Sequence, residues 1–582
     1  MCVCVCVCVC VCAFSKSTGR AYSIIAGVPH FEGIRTGGHA YVDKSRYAAL
    51  LSEESSMCLL VRPRRQGKSL LLSTTQCLLE RKENLFRGLA VHDEIDWHDG
   101  GVPVIKMDLS TACTNDGEDP VAGVEIFDEC LRRQVRQNAK RLEVEVAEGM
   151  PSKMFQDLLL AVSKKTDGKK KAAVLIDEYD APLIAVLGKN GGEMDERVRK
   201  TRGALHMFLL ATKSSMDLIH CLFLTGVSKF ALADTLSQMN HLDDITHDKR
   251  FGAATGFSWV EIEAAFGPHV ETLAGSRNET VPELRAQMER CYGGNCYDGH
   301  HRVFNTWDVS CALQKQRVDV FWLSMNFGGW LCKLLMPNVA PALFEEGVII
   351  PKWGDGNKLD KGLFEAVRNN SPIDERQVWR VLLEVGYLTV VEMKDINHEA
   401  SLVLKPPNDC VAAAVRTGIF QIFDRALCSA LYDDDMVQLV TDTAAIVEKH
   451  RFYRHGGNVG GVQEPDVQKW YAIAWGALRY EFVSEQATFN GRSAFVFEGI
   501  ENTHVVEFGM VTVSGGTSKN GSEPKSERKS EIDSALKKKT TQVRGYVVAL
   551  KNKKPIRWWV ALFNKAKGEL VHVSEVSLMS EV

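Results

Sequence analysis

The stretch MCLLVRPRRQGKSLLLSTTQCLLE, residues 57 to 80, decides the fold. Its first five residues are apolar without a break, Arg62 to Gly67 is cationic and turn-forming, and a leucine-rich run of helical composition follows from Lys68. That order predicts a buried strand, a loop and a helix. The loop closes on Gly67, Lys68 and Ser69. A glycine there lets the backbone approach a phosphate closely, a lysine puts a cation on the outer phosphates, and a hydroxyl at a helix entrance faces Mg2+. The first glycine of the general phosphate-loop pattern is absent, because Arg62 occupies its place.

Outward from this stretch, three more apolar runs predict strands: Val102 to Leu109, Ala172 to Ile176 and Leu218 to Thr225. Helical patterns at Lys68 to Glu80, Glu125 to Ala147 and Asp195 to Lys213 alternate with them. Alternation of this kind predicts an α/β fold, a P-loop NTPase parallel sheet with flanking helices, over residues 21–260. Residues 261–440 read as a mainly helical middle or lid region, with Leu323, Phe327, Trp330 and Leu334 at helical spacing and one strand pair, Tyr387 to Val391 with Ser401 to Leu404. Residues 441–582 return to α/β, with a helix at Asp466 to Leu478 and strands at Phe482 to Glu485, Ser493 to Glu498 and Thr503 to Phe508. A helix at Glu531 to Leu550 and a strand at Ile556 to Phe563 complete that region. The Ser-, Gly-, Lys- and Glu-rich insertion 514–530 is expected to stay disordered.

The second motif is Val174-Leu175-Ile176-Asp177-Glu178. A carboxylate at the carboxyl end of a central strand sits where open α/β sheets bind ligands. Asp177 is therefore the candidate metal residue beside Ser69, and Glu178 the candidate that orients an attacking water. Thr225, at the end of its own apolar run, either hydrogen-bonds that water or the outer phosphate, or simply caps its strand. The candidate nucleotide-contacting set is Arg62, Arg64, Arg65, Gln66, Gly67, Lys68, Ser69 and Leu70, with Lys68, Glu178 and Thr225 catalytic. The three arginines either embrace phosphate or solvate the loop. Adenine is the preferred base, so the expected cofactors are ATP and Mg2+.

These residues resemble a known group. Tyr41-Val42-Asp43-Lys44-Ser45, RPRRQGKSLLLSTTQCLLE, LFRGLAV (Leu85 to Val91), VLIDEYDAPL (Val174 to Leu183) and LTGVSKF (Leu224 to Phe230) are similar to the AAA-ATPase-like P-loop family. In that family the arginine-rich loop is the usual form. The likeness continues through Asn240, Asp244-Ile245-Thr246, Tyr292-Gly293-Gly294 and Asn305-Thr306-Trp307. It implies a C-terminal nuclease-fold domain of the PD-(D/E)XK superfamily, whose pattern falls on Glu485, Gly491-Arg492, Glu507, Gln542 and Tyr546. The metal-binding aspartate of the pattern is Ala494 and its lysine is Gly509. Cleavage of a phosphodiester needs both groups, so this site is expected to be degenerate unless Glu485 or Glu498 supplies a ligand.

Composition excludes other classes. At 582 residues, 45% hydrophobic and 25% charged, the chain is globular and long enough for several domains. A net charge of −4 gives no global field for nucleic acid, and the lysine runs Lys164 to Lys171 and Lys537 to Lys539 lack aromatic interleaving. Binding of nucleic acid or of a protein partner stays open. No run reaches the ~18 apolar residues of a membrane span, and an intracellular location is expected. Of 17 cysteines, six lie in MCVCVCVCVCVC, which reads as a translated microsatellite; the rest show no ligand spacing and read as small buried residues of a reducing compartment. Three functions remain compatible: an ATPase that rearranges the helical middle, a non-hydrolytic switch or scaffold, and a nucleotide-gated nuclease.

Overall fold

The computed structural model describes residues 22–110, 120–187, 192–229, 239–319, 321, 348–351, 375–396, 399–412, 437–438, 440–441, 443–444, 495–498, 503–511, 525–544, 556–564 and 570–575. The chain forms two compact units, one from residues 1–330 and 346–412, the other from 331–345 and 413–582.

In the first unit, five strands make one sheet: β1 (Met57–Val61), β2 (Val104–Asp108), β3 (Ala172–Asp177), β4 (Ile219–Gly226) and the two-residue β5 (Asp243–Asp244). Their spatial order is β2-β3-β4-β1-β5 and every pairing is parallel. The unbroken apolar runs follow from burial on both faces. Met57, Leu59 and Val61 of β1, with Val174 and Ile176 of β3 and Leu222 and Leu224 of β4, pack under the helices Pro120–Arg141, Pro151–Lys165 and Gly192–Lys213. Cys58 and Leu60, with Ala173, Leu175, Cys221 and Phe223, face the Lys68–Leu79 helix on the other side. Alternate residues of one strand thus serve two cores. Each fully buried Leu, Ile or Phe contributes about 1.5–3 kcal/mol relative to exposure.

A third cluster joins three helices, Trp259–Ser276, Val281–Tyr292 and Thr306–Lys315. The first two start with capping boxes at Ser258 and Thr280, and Asn305 caps the third. The buried pair Lys44 to Glu261, 2.6 Å, fastens the first helix to the segment before β1. β6 (Asn295–Cys296) and β7 (Arg302–Val303) form a short ribbon. The helix Glu375–Glu384 and the antiparallel sheet β8 (Val348–Pro351), β10 (Glu399–Lys405), β9 (Thr389–Ile396) belong to this same unit.

The second unit contains a four-stranded sheet: β11 (Phe495–Glu498), β12 (Thr503–Val511), β13 (Ile556–Asn564) and β14 (Leu570–Glu575), in that order. β11 and β12 are antiparallel, β12 and β13 parallel, β13 and β14 antiparallel. A helix, Lys525–Arg544, lies between β12 and β13 in sequence. It begins inside the segment expected to be disordered, because the charged run from Lys525 to Lys539 has helical propensity of its own. The tail 1–20, the apolar helix expected around Phe327, the helix expected at Asp466 to Leu478 and the strand expected at Phe482 to Glu485 lie outside the described residues. Among the described residues no helix is long and apolar enough to cross a membrane.

Candidate functional site

Because β1 to β4 run parallel, their carboxyl ends meet at one edge. Val61 pairs with Gly226 and Asp108 with Asp177. β4 lies between β1 and β3, which puts Thr225 between the loop that leaves β1 and the acids that end β3.

The loop after β1 carries two left-handed residues, Arg65 (φ 63°) and Gly67 (φ 91°), and the Lys68–Leu79 helix opens directly on Gly67. For a residue with a β-carbon this conformation costs about 1–2 kcal/mol, so something must hold Arg65. Thr306 Oγ1 donates to the Arg65 carbonyl at 2.8 Å, and the Arg65 guanidinium stacks 4.2 Å over the Trp307 ring. The Gly256 amide donates to the Gln66 carbonyl at 3.0 Å. The loop is therefore moulded from outside by the Asn305-capped helix.

The three arginines have different surroundings. Arg62 is fully buried; its guanidinium donates to the carbonyls of Val61 (2.9 Å), Thr246 (2.5 Å) and Phe251 (3.1 Å) and lies 4.2 Å over the Tyr297 ring. Burial lowers its pKa to about 10. Those donors are directed at the backbone of β1 and of the 245–251 segment. Arg64 is exposed and Arg65 half-buried. Gln66 is buried, and Leu70 half-buried.

Lys68 is 3% exposed, with Nζ 3.1 Å from the Pro63 carbonyl and 3.7 Å from Glu178 Oε1. Glu178 itself has φ 50°, a strained turn immediately after the strand. Asp177 is buried and accepts hydrogen bonds from Thr225 Oγ1 (3.2 Å) and the Glu178 amide (3.0 Å), with Ser69 lining the same recess. Burial raises its carboxyl above the usual range while the Ser69 hydroxyl pulls it down. Lys68, Ser69, Asp177, Glu178 and Thr225 are thus brought together.

Two acids that sequence reasoning did not single out belong to the same edge. Asp108 ends β2 as the register neighbour of Asp177; the signal was present in VPVIKMDL, an apolar run ending in an acid. Asp180 is fully buried and accepts from the amides of Val227 (3.0 Å) and Ser228 (2.7 Å), fixing the loop after β4. Burial and the Glu178 charge push its carboxyl up to about 7. Its spacing in Asp-Glu-Tyr-Asp gave no hint, since only the tertiary turn brings it to residues 227 and 228.

Two recesses flank the loop. One, about 330 Å3, is lined by Ile24, Val28, Gly67, Phe257, Phe266 and Trp307 among others. The other, about 500 Å3, is lined by Arg64, Ser69, Lys106, Asp108, Asp177 and Glu178 among others. Ser69 and Glu178 line both.

Elsewhere, Glu507 and Gly509 lie in β12, Glu498 ends β11 and Gln542 is in the Lys525–Arg544 helix, while Glu485, Ala494 and Tyr546 lie outside the described residues. His220 has Nε2 3.1 Å from the Ser52 carbonyl, a structural contact. Among the described residues no cluster of three or more His, Cys, Asp or Glu side chains could hold a metal ion by itself, and the cysteines are free thiols.

Residues 25–236 match the protein family described as "Predicted AAA-ATPase". The chain is also similar to an uncharacterized protein from the vnfD 5' region of Azotobacter chroococcum mcd 1, at 27% identity over 396 residues, which cover 68% of this chain and 69% of the relative.

Proposed function

We propose that the first unit binds ATP with Mg2+ at the carboxyl edge of its sheet and hydrolyses it to drive conformational change. The observation that carries this is the convergence of a buried lysine, Lys68, with Glu178 at 3.7 Å, beside an Asp177 that accepts from Thr225 and lines one recess with Ser69. An ammonium and a strand-end acid pair held this way suit a charged phosphate chain arriving at a helix entrance.

The residues present fit the ligand. Gly67 at φ 91° leaves the backbone bare at the helix entrance; a β-carbon placed there would have Thr306 Cγ2, 3.8 Å away, as its nearest neighbour. The donor set around Ser69 and Asp177 suits Mg2+, which keeps waters and phosphate oxygens and needs one or two protein groups. When bound, Mg2+ supplies charge neutralisation of the phosphate oxygens. Lys68 leaves the Pro63 carbonyl for the outer phosphates, Glu178 orients the attacking water, and Thr225 fixes Asp177. The 330 Å3 recess takes the nucleoside, with Phe257, Phe266 and Trp307 as apolar walls. Arg64 and Arg65 remain in the phosphate-contacting set; Arg62 leaves it, since it is fully buried with both terminal nitrogens on backbone carbonyls.

For the second unit we propose a nuclease-like fold without cleavage. A strand carrying Glu507 followed by a helix carrying Gln542 is the strand-then-helix order that the C-terminal likeness implies. Glycine at 509 has no side chain to stabilise developing charge.

Phosphate release by the purified chain tests the ATPase reading against Lys68→Ala and Glu178→Gln. Turnover lost in both, with ATP still bound by Glu178→Gln, is the expected result. ATP binding with release no faster in wild type than in either variant would replace the enzyme by a switch.

A further inference from the structure

Glu384 closes the helix Glu375–Glu384, far in sequence from the phosphate loop, yet it is 5% exposed and its carboxylate reaches the loop that leaves β4. Oε2 accepts from Ser228 Oγ at 3.0 Å and from the Lys229 amide at 2.9 Å, and Oε1 stands 3.4 Å from Lys229 Nζ. Lys229 has a second partner, Asp244 Oδ2 at 2.8 Å. The same loop is held from its other side by Asp180, which takes the amides of Val227 and Ser228, and by Tyr179, whose hydroxyl donates to the Ser228 carbonyl at 3.0 Å. At its start stands Thr225, on Asp177. The loop is thus clamped between the acids of β3 and one acid from a distant helix.

Two residues later the same segment touches the other wall. Gly386 has φ 87°, and a β-carbon placed there would collide with the Pro63 ring. Pro63 is the residue whose carbonyl holds Lys68 Nζ. The chain then enters β9 at Thr389, whose hydroxyl accepts from the Cys296 amide at 2.6 Å, and β9 pairs with β10 through its length. Three consecutive residues therefore abut both the lysine side and the Thr225 side of the phosphate site, and lead straight into a second sheet.

Lys229 shares its charge between Glu384 and the closer Asp244. What Glu384 supplies is an acceptor for the Ser228 hydroxyl and the Lys229 amide, two groups that fix the backbone just past Thr225. ATP and ADP differ in the outer phosphate, which the proposed site puts at Lys68 and Glu178, next to the Asp177 that Thr225 holds; a ligand shifts a segment only through contacts that differ between its states.

We infer that Glu384 is a positioning residue for loop 225–229, and that residues 384–389 carry the nucleotide state to the β8-β10-β9 sheet. The inference rests on the nucleotide-binding reading of the site. Coupling passes through packed and hydrogen-bonded groups with two arrangements: Lys68 on or off the Pro63 carbonyl at one wall, Ser228 and Lys229 on Glu384 at the other.

The test uses the full chain as wild type, Glu384→Gln and Glu384→Ala. Equilibrium binding of ATP and ADP with Mg2+, steady-state phosphate release, and amide hydrogen exchange over residues 389–405 are measured. In the wild type, exchange there differs between the ATP and ADP complexes. Glu384→Ala is expected to lower kcat about tenfold, a 1.36 kcal/mol rise in barrier, with KM for ATP nearly unchanged and the ATP-to-ADP exchange difference lost. Glu384→Gln, which keeps an acceptor for Ser228 Oγ, recovers part of kcat. A merely structural role would lower melting temperature and active fraction together, with kcat per folded molecule and the exchange difference intact; that result overturns the inference. Equal exchange in the two wild-type complexes overturns it also, even where ATP binds. A wild type that binds neither nucleotide overturns the site reading and this inference with it.

Discussion

The two sheets of this chain make an instructive pair. In the first unit an acid at a strand end, Asp177, has a hydroxyl from Thr225 on the neighbouring strand, Ser69 in the same recess at a helix entrance, and a lysine within reach of the next acid. In the second unit β12 also carries an acid, Glu507, but the residue two further along the strand is Gly509. Both strands have a buried apolar face, Val174 and Ile176 in one and Val506 and Phe508 in the other. Packing therefore does not by itself mark a candidate site. The supply of partner groups does, because a buried acid acts only when neighbours fix its protonation and direction.

The sharpest way to break that contrast is to strip the first edge of its cation. Lys68→Ala is expected to reduce ATP turnover by roughly two to three orders of magnitude, the scale of losing a preorganised charge at a phosphoryl site; phosphate release at saturating ATP reads it. A second cut is smaller. Trp307→Ala removes the ring under Arg65 and one wall of the nucleoside recess, and KM for ATP is expected to rise about tenfold, worth ~1.4 kcal/mol, with kcat changed less. An unchanged KM, with any loss confined to kcat, would mean that Trp307 does not shape the nucleotide recess.

Next in size is the acid of the loop clamp. Asp180 has its pKa raised to about 7, against an ordinary carboxylate value in the unfolded chain, chiefly by burial and the Glu178 charge. A raised folded-state value means that its contribution is fully present below about pH 4 and is lost as pH rises through 7. Melting temperature of Asp180→Asn minus wild type should therefore climb by a few degrees from pH 5 to pH 8. A difference flat over that range would show that Asp180 stays ionised in the fold. The smallest expected effect is none: wild type and Glu507→Ala should both leave DNA uncut in Mg2+ or Mn2+. Cutting by wild type that vanishes in the variant would erase the contrast between the two sheets.

The sequence by itself settled the order of strands and helices from 57 to 226, because burial on both faces demands unbroken apolar runs and these are visible without coordinates. It also marked Lys68, Ser69, Asp177, Glu178 and Thr225, since each carries its chemistry at a strand end or a helix entrance. The boundaries shifted by a few residues, as at Pro120–Arg141, where the helix starts before the position expected at Glu125. Strand order was decided only in three dimensions: nothing in the chain says that β4 inserts between β1 and β3. Arg62, Asp180 and Glu384 were likewise invisible as structural groups. The reason is physical: a charge in a motif looks the same whether it turns to a ligand or to a buried carbonyl, and its direction is set by partners such as Thr246, Ser228 and Lys229, distant along the chain and neighbours only once it has folded.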